Sequence, residues 1–336
     1  MSFENVTIRG RDCDAEIYHA ANADRQRGAK DWVVSSGMLR EGGHCWARWK
    51  AGYQPPESEA KDFGSLFDLL AFTPAQFERK YVVRPDTYTH AKDGVKDWNN
   101  NATVCKEWNA AAAAEGRKPI KKAELAEVQS AVRRLREDAI LSAFIDQSAK
   151  QTWLQGEWKD EATGLFIPVQ ALVDLAPQSD SEFSSCLGDG KTTRSAAPHV
   201  WSKYSSQRGY HVQAAFYIDM WNAATGDLRD TFCHLLTENY PPWQTGRSMV
   251  SLQKLEFGRI LYQAYLARYA KCLATGIWPD YQAADARAKE FGGWSLDEAT
   301  KWDEAEAMRG MEQIANAPEP ADDDDFPAQD DLGIVP

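Results

Sequence analysis

The chain of 336 residues has no apolar run approaching the twenty that a membrane-spanning helix needs, and no basic, apolar, small-residue leader. A cytoplasmic protein with no membrane association is expected. Its six cysteines (Cys13, Cys45, Cys105, Cys186, Cys233 and Cys272) are scattered, with no C-x-x-C pair and no tight cluster. That spacing argues against a zinc site and predicts free, buried thiols. Positive charge is also scarce: 38 lysines and arginines stand against 50 acids, a net charge of -12. Seven of those acids (Glu319, Asp322, Asp323, Asp324, Asp325, Asp330 and Asp331) fall in one short stretch with no base, leaving -5 for the rest. A broad basic surface is excluded, but a locally basic groove is not, because the field near a phosphate depends on placement and not on the sum.

What is present is enough apolar matter, 43% of residues with thirteen tryptophans, to bury a substantial core in one large or two small domains. The first thirty residues have no clear period. Ser35 or Ser36 can cap a helix to about Lys50, with Met38 and Leu39 buried; Arg40, Arg48 and Lys50 are then exposed, as a solvated face or toward a phosphate backbone. Phe63, Leu66, Phe67 and Leu70 recur at helical spacing, and Asp68 at the stripe's edge is either a surface acid or one that reaches an internal site. From Lys96 to Gln147 the pattern is helical, broken at Gly116 to Pro119, with Leu125, Val128, Val132, Leu135, Ala139 and Phe144 on one face. Thr152 to Lys159 and Leu165 to Leu175 read as a hairpin, and Leu228 to Glu238 and Ser248 to Gln253 as further strands. Phe257 to Ala274 and Trp294 to Ala315 read as helices.

The chemistry concentrates between Val169 and Tyr217. Val169-Gln-Ala-Leu-Val-Asp174 is an apolar run ending in an acid; a polar loop follows, then Cys186-Leu-Gly-Asp-Gly-Lys-Thr-Thr193. On an extended strand Asp189 and Lys191, two apart, point to the same face. If Asp174 ends the neighbouring strand, its carboxylate converges on that of Asp189, and two crowded anions favour a divalent cation between them. Hard oxygen ligands suit Mg²⁺ or Mn²⁺. Such a cation acidifies bound water and neutralises charge on a phosphate oxygen, while Lys191 positions or polarises the attacking water, which points to phosphodiester hydrolysis. Gln213 and Tyr217, four apart on the helix that opens after Gly209, share a face and can hydrogen-bond near the cation or to nucleic acid. Glu157 is either an extra acid near the cation or an exposed strand residue.

The order acid, D-x-K, Y-x-x-Q-x-x-x-Y resembles the PD-(D/E)XK nucleases, and within them the RecE (exonuclease VIII)-like and RecB-like branch of phage or prophage type. Upstream, Val34-Ser-Ser-Gly-Met-Leu39, Phe63-Gly-Ser-Leu-Phe-Asp-Leu-Leu70 and Gln76-Phe-Glu-Arg-Lys-Tyr-Val-Val83 are similar to the N-terminal signature of RecE-type domains. The resemblance covers roughly Val33 to Asp280. It implies an α/β fold with a restriction-endonuclease-like core, a central mixed sheet of about five strands flanked by helices, and a helical N-terminal elaboration. It implies Asp174 and Asp189 as metal ligands, with Asp68 and Gly190 in the same set, and Lys191 as the catalytic lysine. Tyr210 and Gln213 would be the helix residues beside the site. Two departures stand out. Gly64-Ser-Leu-Phe-Asp68 has an aspartate where the family often has the histidine of G-x-x-x-H, and Gln170-Ala-Leu-Val-Asp174 lacks the usual R-P-D. The four-cysteine iron–sulfur spacing of some RecB-like relatives is also missing.

The activity so implied is a Mg²⁺- or Mn²⁺-dependent 5′–3′ exonuclease acting on double-stranded DNA ends, in recombination or replication in a bacterial host cell. The alternatives are a DNA-binding protein that keeps the fold without hydrolysis, and an endonuclease or nickase with a different DNA substrate. Implied partners are a single-strand annealing or single-stranded-DNA-binding protein and further copies of the chain in a ring. One nuclease domain is expected over 1–312, with a mostly helical part at 30–150, a catalytic core at 151–280 and a C-terminal helix at 281–312. An acidic disordered tail is expected over 313–336, serving as a solubiliser, a partner-docking segment or a mimic of DNA charge.

Overall fold

The computed structural model describes residues 2–53 and 58–281, with isolated positions between 287 and 311. Residues 1–281 form one compact unit. Isolated positions aside, the helix expected over 294–315 lies outside the described residues, as does the acidic tail. No helix among the described residues is long and apolar enough to cross a membrane.

The unit is built on a six-stranded mixed sheet whose spatial order follows the chain: β1 (Ser2–Gly10), β2 (Ser148–Lys159), β3 (Phe166–Pro177), β4 (Cys186–Thr193), β5 (Thr231–Glu238) and β6 (Thr245–Met249). Neighbours are antiparallel except β4 and β5, which pair in parallel from Cys186 opposite Thr231 to Thr193 opposite Glu238. A parallel pair needs a crossover, and the helices α5 (Pro198–Gln207) and α6 (Tyr210–Thr225) supply it. The α/β class with a helix-flanked mixed sheet is as the sequence predicts. The sixth strand is β1 at the edge, where register shifts and a left-handed φ of 54° at Asn5 break the alternation that would mark it.

Helices cover both faces. On one, α1 (Ser36–His44), α6 and α7 (Leu252–Thr275) pack over Val169, Ala171, Val173 and Phe232; on the other, α2 (Glu59–Phe72), α3 (Lys122–Glu137) and α4 (Ala139–Asp146) pack over Leu175 and Leu235. α6 is buried around its whole circumference, with nine buried residues, as expected of a helix wedged between sheet and second helix. Gly258 of α7 makes that approach possible: a Cβ there would stand 2.1 Å from the His211 carbonyl oxygen.

Four local expectations are corrected. The helix from Ser36 to Lys50 breaks at Cys45, whose extended backbone (φ -164°) turns the chain into a separate Trp46–Lys50 segment. Lys50 is half-buried there, its ammonium on the Arg27 carbonyl. The stretch from Lys96 is not helical at its start, because Gly94–Asp97 pairs with Thr87–His90, and Lys118–Ile120 pairs in parallel with Tyr81–Val83. Val128, Leu135 and Phe144 are buried as expected, whereas Ala139 is exposed at the start of α4. Of the strand expected over Ser248 to Gln253 only Ser248 and Met249 are strand, since β6 runs Thr245–Met249 and Ser251 caps α7 by accepting from the Lys254 amide at 3.3 Å.

Candidate active site

Asp174 and Asp189 sit inside adjacent strands, where the β3–β4 ladder is reduced to a single registered pair, Leu175 opposite Gly188. Beyond that pair the Asp174 carboxylate replaces the ladder: its Oδ2 accepts from the Gly190 amide at 3.3 Å, and its Oδ1 accepts from the Gln151 side chain at 3.2 Å. The strands thus part where the two acids approach each other, and the charge on Asp189 helps to raise the Asp174 carboxyl. Two carboxyl groups so placed favour a shared proton or a cation. Asp189 is 1% exposed, accepts from Gln213 Nε2 at 2.9 Å on the first turn of α6, and pairs through its other oxygen with the ammonium of Lys191. The two-residue spacing on β4 makes that pair.

Asp68 reaches the same cavity from α2. Two glycines of the neighbourhood let the helix come close: a Cβ at Gly64 would meet Thr192 Oγ1 at 3.1 Å, and one at Gly190 would stand 2.5 Å from Phe72 Cζ and 3.4 Å from Asp68 Oδ1. Burial raises the Asp68 carboxyl to about 7, with Lys191 opposing and Asp189 adding to the rise. Burial, then Asp189, push Asp174 well above the usual carboxylate range. Lys191 is drawn down by burial but held above its ordinary value by Asp189 and Asp174, so it is a permanent cation. Among the described residues Lys191 pairs with this cluster of carboxyl groups, while Lys80 and Lys118, which also line the cavity, pair with Asp14 and Asp62.

The cavity has a volume of about 500 Å³ and is lined by Asp68, Asp174, Asp189, Lys191, Gln213 and Tyr217, among others. Tyr210 is not among its lining residues; its ring lies 5.1 Å from the Lys191 ammonium and orients it from behind. Tyr217 is buried, which raises its hydroxyl to about 12 ahead of the effect of Asp189 and Asp174. Glu157 does not line the cavity and instead accepts from Asn5 Nδ2 at 3.0 Å across the β1–β2 edge. Three contributors were not singled out in the sequence. Tyr18 and His19 form part of the wall, and Gln151 holds Asp174 from a left-handed backbone with φ 43°. Only a lone glutamine beside apolar strand residues hinted at the last.

Among the described residues, no three His, Cys, Asp or Glu side chains close into a ready-made metal-holding group. The donor set nonetheless suits a hard cation: Mg²⁺ is commonly held by one or two carboxylates, completing its shell with water and substrate phosphate. Asp174 and Asp189, on adjacent strands and facing one cavity, offer that arrangement.

A mixed sheet that opens between an acid on one strand and a D-x-K on the next, under a glutamine-bearing helix, defines a PDDEXK-like nuclease fold. The chain belongs to the family described as PDDEXK-like domain of unknown function (DUF3799), whose model matches residues 40–288. Among solved structures it is similar to a protein described as "Putative exonuclease" from Eubacterium rectale, at 14% identity and a TM-score of 0.51, covering 89% of this chain and 99% of that one. That likeness concerns the fold. A weaker one, to the crystal structure of SSO0001, has 8% identity and a TM-score of 0.26 over 70% of this chain and 82% of that one. No curated protein matches the chain.

Proposed function

We propose that this chain is a Mg²⁺- or Mn²⁺-dependent deoxyribonuclease that hydrolyses phosphodiester bonds from the ends of duplex DNA. The supporting observation is that Asp68, Asp174, Asp189 and Lys191, from three separate elements, face one cavity, where three crowded carboxyl groups surround the Lys191 ammonium. A bound cation would let those carboxyl groups ionise together and would acidify a water. The chain's own residues supply position. Gln213 fixes one Asp189 oxygen, while Gln151 and the Gly190 amide fix the Asp174 carboxylate. Lys191, permanently charged, is placed to bind a phosphate oxygen and to stabilise the negative charge that builds on it as the bond breaks. Asp68, whose carboxyl burial raises to about 7, adds a third acid to the same cavity.

The resemblance to RecE-type enzymes extends this reading to 5′–3′ polarity, a recombination or replication role, a ring of copies, and work beside a single-strand annealing or binding protein. The Eubacterium rectale protein of similar fold is itself described as a "Putative exonuclease". Linear and circular duplexes incubated with Mg²⁺ test the core of the proposal: wild type should shorten the linear form and spare the circle, and Lys191→Ala should be at least a hundredfold slower. No degradation by wild type, or undiminished degradation by Lys191→Ala, defeats it. Degradation of the circle moves the activity to an endonuclease.

A further inference from the structure

A second cavity, of about 550 Å³, lies among α1, the Trp46–Lys50 segment and the end of α5. Arg40, His44, Arg48 and Arg208 line it together with the phenols of Tyr53 and Tyr281, and Glu41 is its single acid. None of these three guanidinium groups is ion-paired among the described residues, whereas Arg79, Arg136, Arg229 and Arg259 all are. Arg40 donates to the Ser36 and Arg208 carbonyls and Arg208 to the Tyr204 hydroxyl, but three guanidinium groups against one acid still leave a local positive field in an acidic chain. The aromatic groups are also arranged for contact. The Arg48 guanidinium lies 3.4 Å from the centre of the Tyr53 ring and donates to the Tyr281 hydroxyl at 3.1 Å, and the two tyrosines are 44% and 53% exposed.

The cavity is joined to the active site through one side chain. The Tyr210 ring has the Lys191 ammonium at 5.1 Å and the Arg40 guanidinium at 5.5 Å. The Tyr210 ring thus stands between the two cations, and a strand with one phosphate at Lys191 has Arg40 beyond that ring. The volume suits a nucleotide-sized group and is far too small for a duplex, and exposed phenols beside guanidinium groups are the composition that stacks unpaired bases while neutralising their phosphates.

Resting on the nuclease reading above, we propose that this second cavity is a single-strand subsite: it holds unpaired nucleotides of the substrate strand next to the phosphate being cut. Tyr53 and Tyr281 receive the bases, and Arg40, Arg48 and Arg208 the phosphates. Binding of a fluorescent oligothymidylate by the full chain in EDTA, followed by anisotropy over a range of salt, tests it apart from cleavage. Arg48→Glu combined with Arg208→Glu should weaken binding at least tenfold and make the slope of log affinity against log salt shallower by about 1.4, two contacts at about 0.7 each. Tyr53→Ala should weaken it roughly tenfold with the slope unchanged. All three side chains are exposed, so melting curves like wild type are expected, and the tyrosine variant reports even if the charge reversal misfolds. Wild type that fails to bind the oligonucleotide, or well-folded variants that bind as wild type does, overturns the proposal. Lost binding in the variants from a wild type that cuts no DNA with Mg²⁺ defeats the nuclease reading and leaves the subsite standing.

Discussion

At Gln151 a non-glycine residue is held in the left-handed region, with φ 43°, inside a strand of the central sheet. Such backbone costs about 1–3 kcal/mol and persists where the surroundings enforce it. Here the Gln151 carbonyl accepts from Cys13 N at 3.1 Å while its amide holds Asp174. Gln151→Gly, which suits that backbone and removes only the amide, should therefore fold at least as stably. By analogy with other groups that orient metal ligands, it should need about 10–100 times more Mg²⁺ for half-maximal cleavage. An unchanged Mg²⁺ requirement would reduce Gln151 to a structural role. His234, opposite Asp189 on β5, has no partner for either ring nitrogen among the described residues and packs against Trp201, Tyr210 and Phe232. Burial lowers its imidazole from 6.5 to about 4, with Asp189 opposing and Lys191 and Lys254 adding to the fall. Because the folded value lies below the unfolded one, the neutral ring's contribution is whole above pH 6.5 and is lost as pH falls toward 4. At 1.36 kcal/mol per unit this amounts to about 3 kcal/mol. Urea unfolding at pH 7 and pH 4.5 should show His234→Phe losing less stability than wild type between the two; equal losses would remove His234 as the cause.

At the scale of elements, the separation of β3 and β4 is set from their far end by Arg229. This side chain is 4% exposed and donates to the carbonyls of Pro177, at 2.7 Å, and Cys186, at 2.6 Å, the last residue of one strand and the first of the next. Its guanidinium also stacks on Trp221 at 4.6 Å. Arg229→Met would keep the stem and leave two buried carbonyls unmatched, so a loss of about 3 kcal/mol is expected in chemical denaturation, and a loss under 1 kcal/mol would contradict the role. No pattern in the sequence announces this arginine, because a lone base after Gly226-Asp-Leu reads as solvated. Asp189 and Lys191 were legible because a strand's period of two is rigid, and Asp68 because a helical stripe flanks it. Gln151 and the break at Cys45 were not, since both depend on backbone angles that tertiary contacts impose on residues with no preference for them. The same holds for β1, whose alternation is interrupted by its own left-handed Asn5.

For the whole molecule, the proposed nuclease activity raises the question of how a chain of charge -12 approaches a polyanion. The residues of the two cavities supply local cations, but an approaching duplex first meets the summed field, and seven of the acids responsible fall between positions 319 and 331. Removing 317–336 leaves the compact unit of 1–281 intact and brings the net charge to -5. If the terminal acids act by charge alone, the shortened chain should bind duplex DNA several-fold more tightly at low salt. The advantage should fade as salt rises past about 0.15 M, where the screening length falls to about 8 Å. Its melting temperature should not change. A competing role, in which the terminal segment is read by a protein partner, predicts equal DNA affinity for the two forms at every salt concentration. Anisotropy titrations of both forms with a labelled duplex, in EDTA and at stepped salt, separate the two: a gain that persists at high salt excludes long-range repulsion, and no gain at low salt leaves the acids with some task other than governing access to DNA.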